Sequence, residues 1–187
     1  MNFNEHYKLK GRHATLSASN YHWINYNDEK MRVYYGSLQA KVKGTALHNL
    51  AEMLIKMNQR LPKSNKTLNM YVNDAINYKM TPERILYYSD DFFGTADAIS
   101  FKNNFLRIHD LKTGKTPAHF EQLIIYAALF CLEYGYKPEK IKMELRIYQN
   151  NECLIYEPTA EQVRAVMDKG VKFSQIISGM KAQEEDL

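Results

Sequence analysis

The sequence predicts an α/β fold: a single domain with a central mixed β-sheet, whose core is an antiparallel meander, flanked by helices. Three observations predict it. The chain has 187 residues, the length of one domain, with no internal repeat and no linker long enough to separate two. Helical periodicity before Pro82 gives way to segments rich in β-branched and aromatic residues, split by turn sequences. Beyond them, Leu123 to Phe130 is apolar nearly all round, as a helix covered on most sides would be.

Each element has its own signal. Ser17 or Ser19 can cap a short helix through Trp23 towards Lys30. A longer helix covers Leu38 to Arg60, with Leu47, Leu50, Ala51 and Leu54 at core spacing. Leu61-Pro62-Lys63-Ser64-Asn65 breaks it, and Lys66 to Tyr78 forms another, with Val72 and Ile76 on one side and Pro82 as the stop. Arg84–Tyr88, Phe93–Phe101 and Phe105–Lys112 form the meander, turned at Ser89-Asp90-Asp91 and Lys102-Asn103-Asn104. Thr116-Pro117 opens a helix to Tyr134, a capping hydroxyl followed by proline, and Gly135 ends it in a left-handed conformation. Lys142–Gln149 is a fourth strand and Cys153–Tyr156 a fifth. Thr159-Ala160-Glu161-Gln162 is a capping box for a last helix ending near Gly179, which leaves residues 180–187 as a flexible acidic tail.

Composition narrows the function classes. At 45% hydrophobic and 25% charged residues, the chain is neither disordered nor fibrous. No apolar run approaches the ~20 residues of a membrane span, and the start lacks a secretion pattern, so an intracellular, cytoplasmic protein with no membrane partner is expected. Cys131 and Cys153 are too few and too far apart for a disulfide framework or a cysteine-bound cluster. The net charge of +4 permits a polyanionic partner without demanding one. Arg12, His13, Lys41 and Lys43 read as solvated surface charge, with phosphate contact as the alternative.

Four features carry possible chemistry. In Ile108-His109-Asp110-Leu111-Lys112, strand alternation sends Asp110 and Lys112 to one face. Taken alone, the pair reads first as a solvated salt bridge at a strand end. Asp97, in Gly94-Thr95-Ala96-Asp97, is a lone carboxylate that cross-strand pairing can bring near Asp110. Two such carboxylates repel unless a cation lies between them, and oxygen ligands suit Mg²⁺ or Mn²⁺. Gln122 and Tyr126 share a face of the buried helix, with His119 on the same stripe, which must meet a polar site or solvent. His48 and Glu52 are an i, i+4 pair on the long helix. Thr113-Gly114-Lys115-Thr116 lacks the further glycines of a phosphate-binding loop, and His109 stands where the first should be, so an NTPase is excluded.

In that order, His48, Gly94-Thr95-Ala96-Asp97, Asp110-Leu111-Lys112-Thr113-Gly114-Lys115 and Gln122…Tyr126 resemble the PD-(D/E)XK nuclease superfamily, in its RecB-like and phage-exonuclease-like branch. The similarity spans Gly44 to Tyr134. It implies a restriction-endonuclease-like fold and a metal-dependent DNA exonuclease of phage-type recombination, repair or processing. A structure-selective endonuclease, or a non-catalytic DNA- or partner-binding module, is the alternative. By the resemblance, Asp97 and Asp110 bind Mg²⁺ or Mn²⁺, with His48 and the Leu111 carbonyl as further ligands. Lys112 orients the attacking water, and Gln122 and Tyr126 orient Lys112 and contact DNA; Glu52 and His119 could support the ligands from behind. Leu16-Ser17-Ala18-Ser19-Asn20-Tyr21-His22-Trp23 is similar to the start of members that carry an iron–sulfur cluster. The cysteine expected near Tyr26 and the C-terminal set are missing, so no cluster is expected. A recombination or replication partner protein and a homo-oligomer are both compatible with the resemblance.

Overall fold

The structure, a computed structural model, describes residues 14–16 and 18–185. Ser17 as a helix cap, Arg12 and His13 as phosphate contacts, and Asp186 and Leu187 of the expected tail lie outside the described residues. The chain divides into two compact units, 1–43 and 44–187, with the boundary inside helix α1 (Asp28–Lys56).

In the first unit a 3₁₀ segment, Ala18–Asn25, precedes α1. The long helix begins at Asp28 rather than Leu38 because Asn27 caps it. Its Oδ1 accepts a hydrogen bond from the Lys30 N–H at 2.8 Å, and Asp28 and Glu29 occupy the first turn, where acids complement the helix dipole. Tyr26 packs edge-on against Tyr34.

The second unit is an α/β fold built on one five-stranded mixed sheet. The strands are β1 (Thr81–Ser89), β2 (Phe92–Lys102), β3 (Phe105–Leu111), β4 (Lys142–Gln149) and β5 (Glu152–Tyr156), in that spatial order. The β1–β2–β3 meander is antiparallel as expected. β3 and β4 run parallel, joined through helix α3 (Glu121–Tyr134), and β5 returns antiparallel to β4. Asn103 and Asn104, then Asn150 and Asn151, have positive φ, the conformation that tight hairpins require and that asparagine tolerates. Pro82 lies inside β1, where its missing N–H is harmless because β1 is an edge strand.

Each face of the sheet has its own core. On one, α3 and helix α4 (Ala160–Glu185) cover Leu86, Leu106, Ile108, Leu145 and Ile147 with Leu123, Leu129 and Val163. On the other, helix α2 (Thr67–Asn77) and Ala51, Leu54 and Ile55 of α1 cover Ala98, Leu111 and Tyr148. The α1 core face therefore differs from the expected one: Leu47 and Leu50 are 38% and 37% exposed. The helix stops at Lys56 rather than Arg60. Asn58 takes a left-handed conformation there, and the Gln59 N–H returns to the Leu54 carbonyl at 2.9 Å.

Two capping expectations hold. Gly135 has φ 71° and ends α3, and Thr159 and Gln162 exchange the two hydrogen bonds of a capping box at 3.2 and 2.9 Å. A third does not. Residues 112–119 form an extended loop, and α3 starts at Glu121 rather than at Thr116-Pro117. The cause is long-range: Gln149, buried at the end of β4, donates to the carbonyls of Gly114 and Thr116 at 2.7 and 2.8 Å and accepts from the Ala118 N–H at 3.2 Å. Those backbone groups are committed before a helix can use them. At the other end α4 continues through Gly179 to Glu185, with Lys181 paired to Asp91. Among the described residues no helix is long and apolar enough to cross a membrane.

Candidate metal centre

The centre lies in the second unit, where the β2–β3 ladder ends. Pairing of Ala98 with His109 sets Asp97 of β2 one step beyond the ladder, opposite Asp110 of β3. On the other side, Pro82 pairs with Ala98 and Arg84 with Ala96, so the residue across from Asp97 on β1 is Glu83. Three adjacent strands thus carry a row of carboxylates: Glu83, Asp97, Asp110. Like charges directly opposite one another are destabilising in a sheet, and this row needs positive charge.

Protein cations supply part of it. Lys112 Nζ lies 3.0 Å from Asp110 Oδ1 and donates to Gln122 Oε1 at 2.8 Å. The Gln122 amide in turn donates to the Tyr126 hydroxyl at 2.8 Å. Gln122 and Tyr126 are one turn apart on α3, and the Tyr126 ring reaches this position because β2 has glycine beneath it: a Cβ on Gly94 would stand 2.9 Å from Tyr126 Cε1. From α1, His48 Nδ1 approaches Asp97 Oδ2 at 3.5 Å. The same oxygen accepts the Leu111 N–H at 2.8 Å. Gly44, one turn before His48, lets α1 come close to the loop after β3, since a Cβ there would meet Thr113 Oγ1 at 2.8 Å.

The electrostatics follow from this geometry. Burial and then the nearby Asp110 push the Asp97 carboxyl up to about 6, against the pull of the Leu111 N–H and His48. Asp110 is also raised by burial, although Lys112 opposes it. Glu83 is raised by burial and by Glu52, with His48 and Lys56 acting the other way. Asp110 is 1% exposed, and its Oδ2, in ionic contact with Lys112, has no hydrogen-bond partner. A buried carboxylate oxygen without a directed partner is costly unless something else coordinates it.

The donor set fits a divalent cation. One ligand atom each from His48, Glu83 and Asp97 lies within 4.8 Å of the others. An imidazole with carboxylates suits Mn²⁺ and, through its oxygens, Mg²⁺.

Of the residues singled out from the sequence, His48, Asp97, Asp110, Leu111, Lys112, Gln122 and Tyr126 come together here. Glu52 is turned to Lys56 one helical turn on. His119 is exposed in the loop before α3, so it is not on the Gln122–Tyr126 stripe. Of Lys41 and Lys43, both in the first unit, the exposed character is as expected. Nothing in the sequence reading points to Glu83 or Gln149. Glu83 needs the β1–β2 register, although an acid one residue after a proline at a strand start is a visible oddity. The contacts of Gln149 span more than thirty residues and have no local signal. Compared with family models, curated proteins and solved structures, the chain matches none.

Proposed function

We propose that this chain is a divalent-cation-dependent deoxyribonuclease that hydrolyses phosphodiester bonds from DNA ends, on a restriction-endonuclease-like fold. The observation that carries it is the convergence of the Asp97 and Asp110 carboxylates with the Lys112–Gln122–Tyr126 chain at one sheet end. Phosphodiester hydrolysis adds water across the P–O bond: the water oxygen bonds to phosphorus, the leaving oxygen departs, and extra negative charge builds on the phosphoryl oxygens. A bound Mg²⁺ or Mn²⁺ acidifies water and polarises the phosphoryl group. Asp97, Asp110, His48 and the Leu111 carbonyl would hold it. Lys112, fixed between Asp110 and Gln122, orients the water and offsets the developing charge. The cleft lined by Leu47, Thr67, Lys112, Thr113 and Lys115 offers basic groups to the DNA backbone beside it.

Digestion of matched linear and covalently closed circular DNA with Mg²⁺ or Mn²⁺ tests the proposal. Loss of linear DNA alone, reduced at least a thousandfold in Asp110→Ala and Lys112→Ala, is the expected result. Cutting of closed circles replaces it with an endonuclease, and no cleavage with either cation leaves a binding role on the same fold.

A further inference from the structure

We infer that Glu83 is a further ligand of the divalent cation, adding a carboxylate beside His48 and Asp97 to the set that includes Asp110. The inference rests on the cation site of the proposed function, but not on DNA as the substrate.

Among the described strand residues, Glu83 alone has a positive φ. It sits within β1 with φ 49°, a left-handed conformation that a non-glycine strand residue rarely adopts. Its neighbours Pro82 and Arg84 pair with β2, whereas Glu83 itself makes no ladder pair. This kink keeps a carboxylate opposite Asp97 and beside His48, with one ligand atom from each of the three within 4.8 Å of the others. The Glu83 carboxylate makes no hydrogen bond or ion pair with any described side chain. Glu52, the other glutamate nearby, contrasts with it, because its carboxylate is taken by Lys56.

A second, independent observation points to a ligand. Asp110 is 1% exposed, and its Oδ2 is buried without a hydrogen bond on the opposite side of Asp97. Acidic oxygens therefore flank Asp97 from both neighbouring strands, and the protein's own cations are distributed unevenly. Lys112 serves Asp110. On the Glu83 side stands His48, a metal ligand when neutral. A cation held by Glu83, His48 and Asp97 relieves the crowding on the side that Lys112 does not serve.

Mn²⁺ binding measures this directly, by loss of the free-ion paramagnetic resonance signal on titrating the full chain. The proteins compared are wild type, Glu83→Gln, Glu83→Asn and Glu52→Gln. Asparagine tolerates the left-handed backbone at position 83, so Glu83→Asn separates loss of a ligand from misfolding, with melting of the metal-free proteins as the check on folding. The expected result is Mn²⁺ affinity at least tenfold weaker in both Glu83 variants, and within about threefold of wild type in Glu52→Gln, which reports the general field of a nearby acid. Affinity in the folded Glu83 variants within twofold of wild type overturns the inference, as does wild-type protein that takes up no Mn²⁺ at millimolar concentration. DNA degradation is assayed on the same preparations. Cleavage with Glu83-independent Mn²⁺ binding removes the inference and leaves the nuclease standing. Glu83-dependent binding without cleavage does the reverse.

Discussion

Two charged clusters occupy this one sheet, and they are built on opposite rules. Towards α2, Arg146 pairs with Glu144 at 2.9 Å and Asp74 at 3.2 Å and donates to the Tyr78 hydroxyl. Arg107 also pairs with Glu144 and lies over the Tyr78 ring. The Tyr148 hydroxyl donates to Asp74 and faces His109 Nδ1. Two arginines meet two acids, so the charges of the cluster cancel, although the neutral ring atom His109 Nε2 is also left without a hydrogen bond. At the end of the meander, three carboxylates meet one lysine and one histidine, and a buried oxygen of Asp110 is left without a hydrogen bond. Charge buried for architecture is balanced within the chain. The carboxylate row is left short of positive charge, which the proposed cation would supply.

Breaking the balanced cluster should have the largest effect on stability. Arg146→Met leaves Asp74 and Glu144 without their main cation and should lower the unfolding free energy by about 2–3 kcal/mol, below the full cost for a buried pair because Asp74 is one-third exposed. Urea denaturation would read this as a lower midpoint at an unchanged slope.

The two clusters should also respond to pH with opposite signs. Asp97 rises to about 6 in the fold, above its unfolded value of ~3.9. Its contribution to stability is therefore complete below pH ~4 and lost as pH rises through about 6. His109 is held down to about 3 by burial and by Arg146 and Arg107, against ~6.5 unfolded. Its contribution is present above pH ~6.5 and lost as pH falls towards about 3. In cation-free protein, Asp97→Asn should therefore raise the melting temperature by a few degrees at pH 7, and the gain should vanish near pH 4. A gain constant across that range would mean that relief of charge at Asp97 is not its source.

The smallest effect sharpens the contrast rather than breaking it. Gln149→Leu removes the three hydrogen bonds that hold residues 114–118, at about 1–2 kcal/mol. Amide exchange at Ala118 should accelerate, while amides of β3 and β4 keep their protection.

Much of this was legible in the sequence. Alternation in Ile108-His109-Asp110-Leu111-Lys112 put Asp110 and Lys112 on one face, and helical spacing joined Gln122 to Tyr126. Both are local periodicities and survive folding. The capping box at Thr159 and the stop at Gly135 are local too. Local signals mislead where distant residues decide. Thr116-Pro117 has the right signal for a helix start, but Gln149 claims its neighbours' backbone groups, and His119 leaves the α3 stripe as a result. α1 starts well before Leu38 because Asn27 caps it. Glu83 enters the row through a kink and a cross-strand register, neither of which a run of single residues encodes.

The glycine at position 94 has a consequence for tolerance to change. Tyr126 lies against β2 where a side chain would otherwise stand, and its hydroxyl must meet Gln122, which must meet Lys112. The thickness of the helix–sheet layer thus acts as a ruler for the polar chain above it. Apolar side chains deep in that layer can be traded as long as the total depth stays the same. Gly94 allows no such trade, since one added methyl meets the Tyr126 ring and lengthens the ruler at the mark where the lysine is measured.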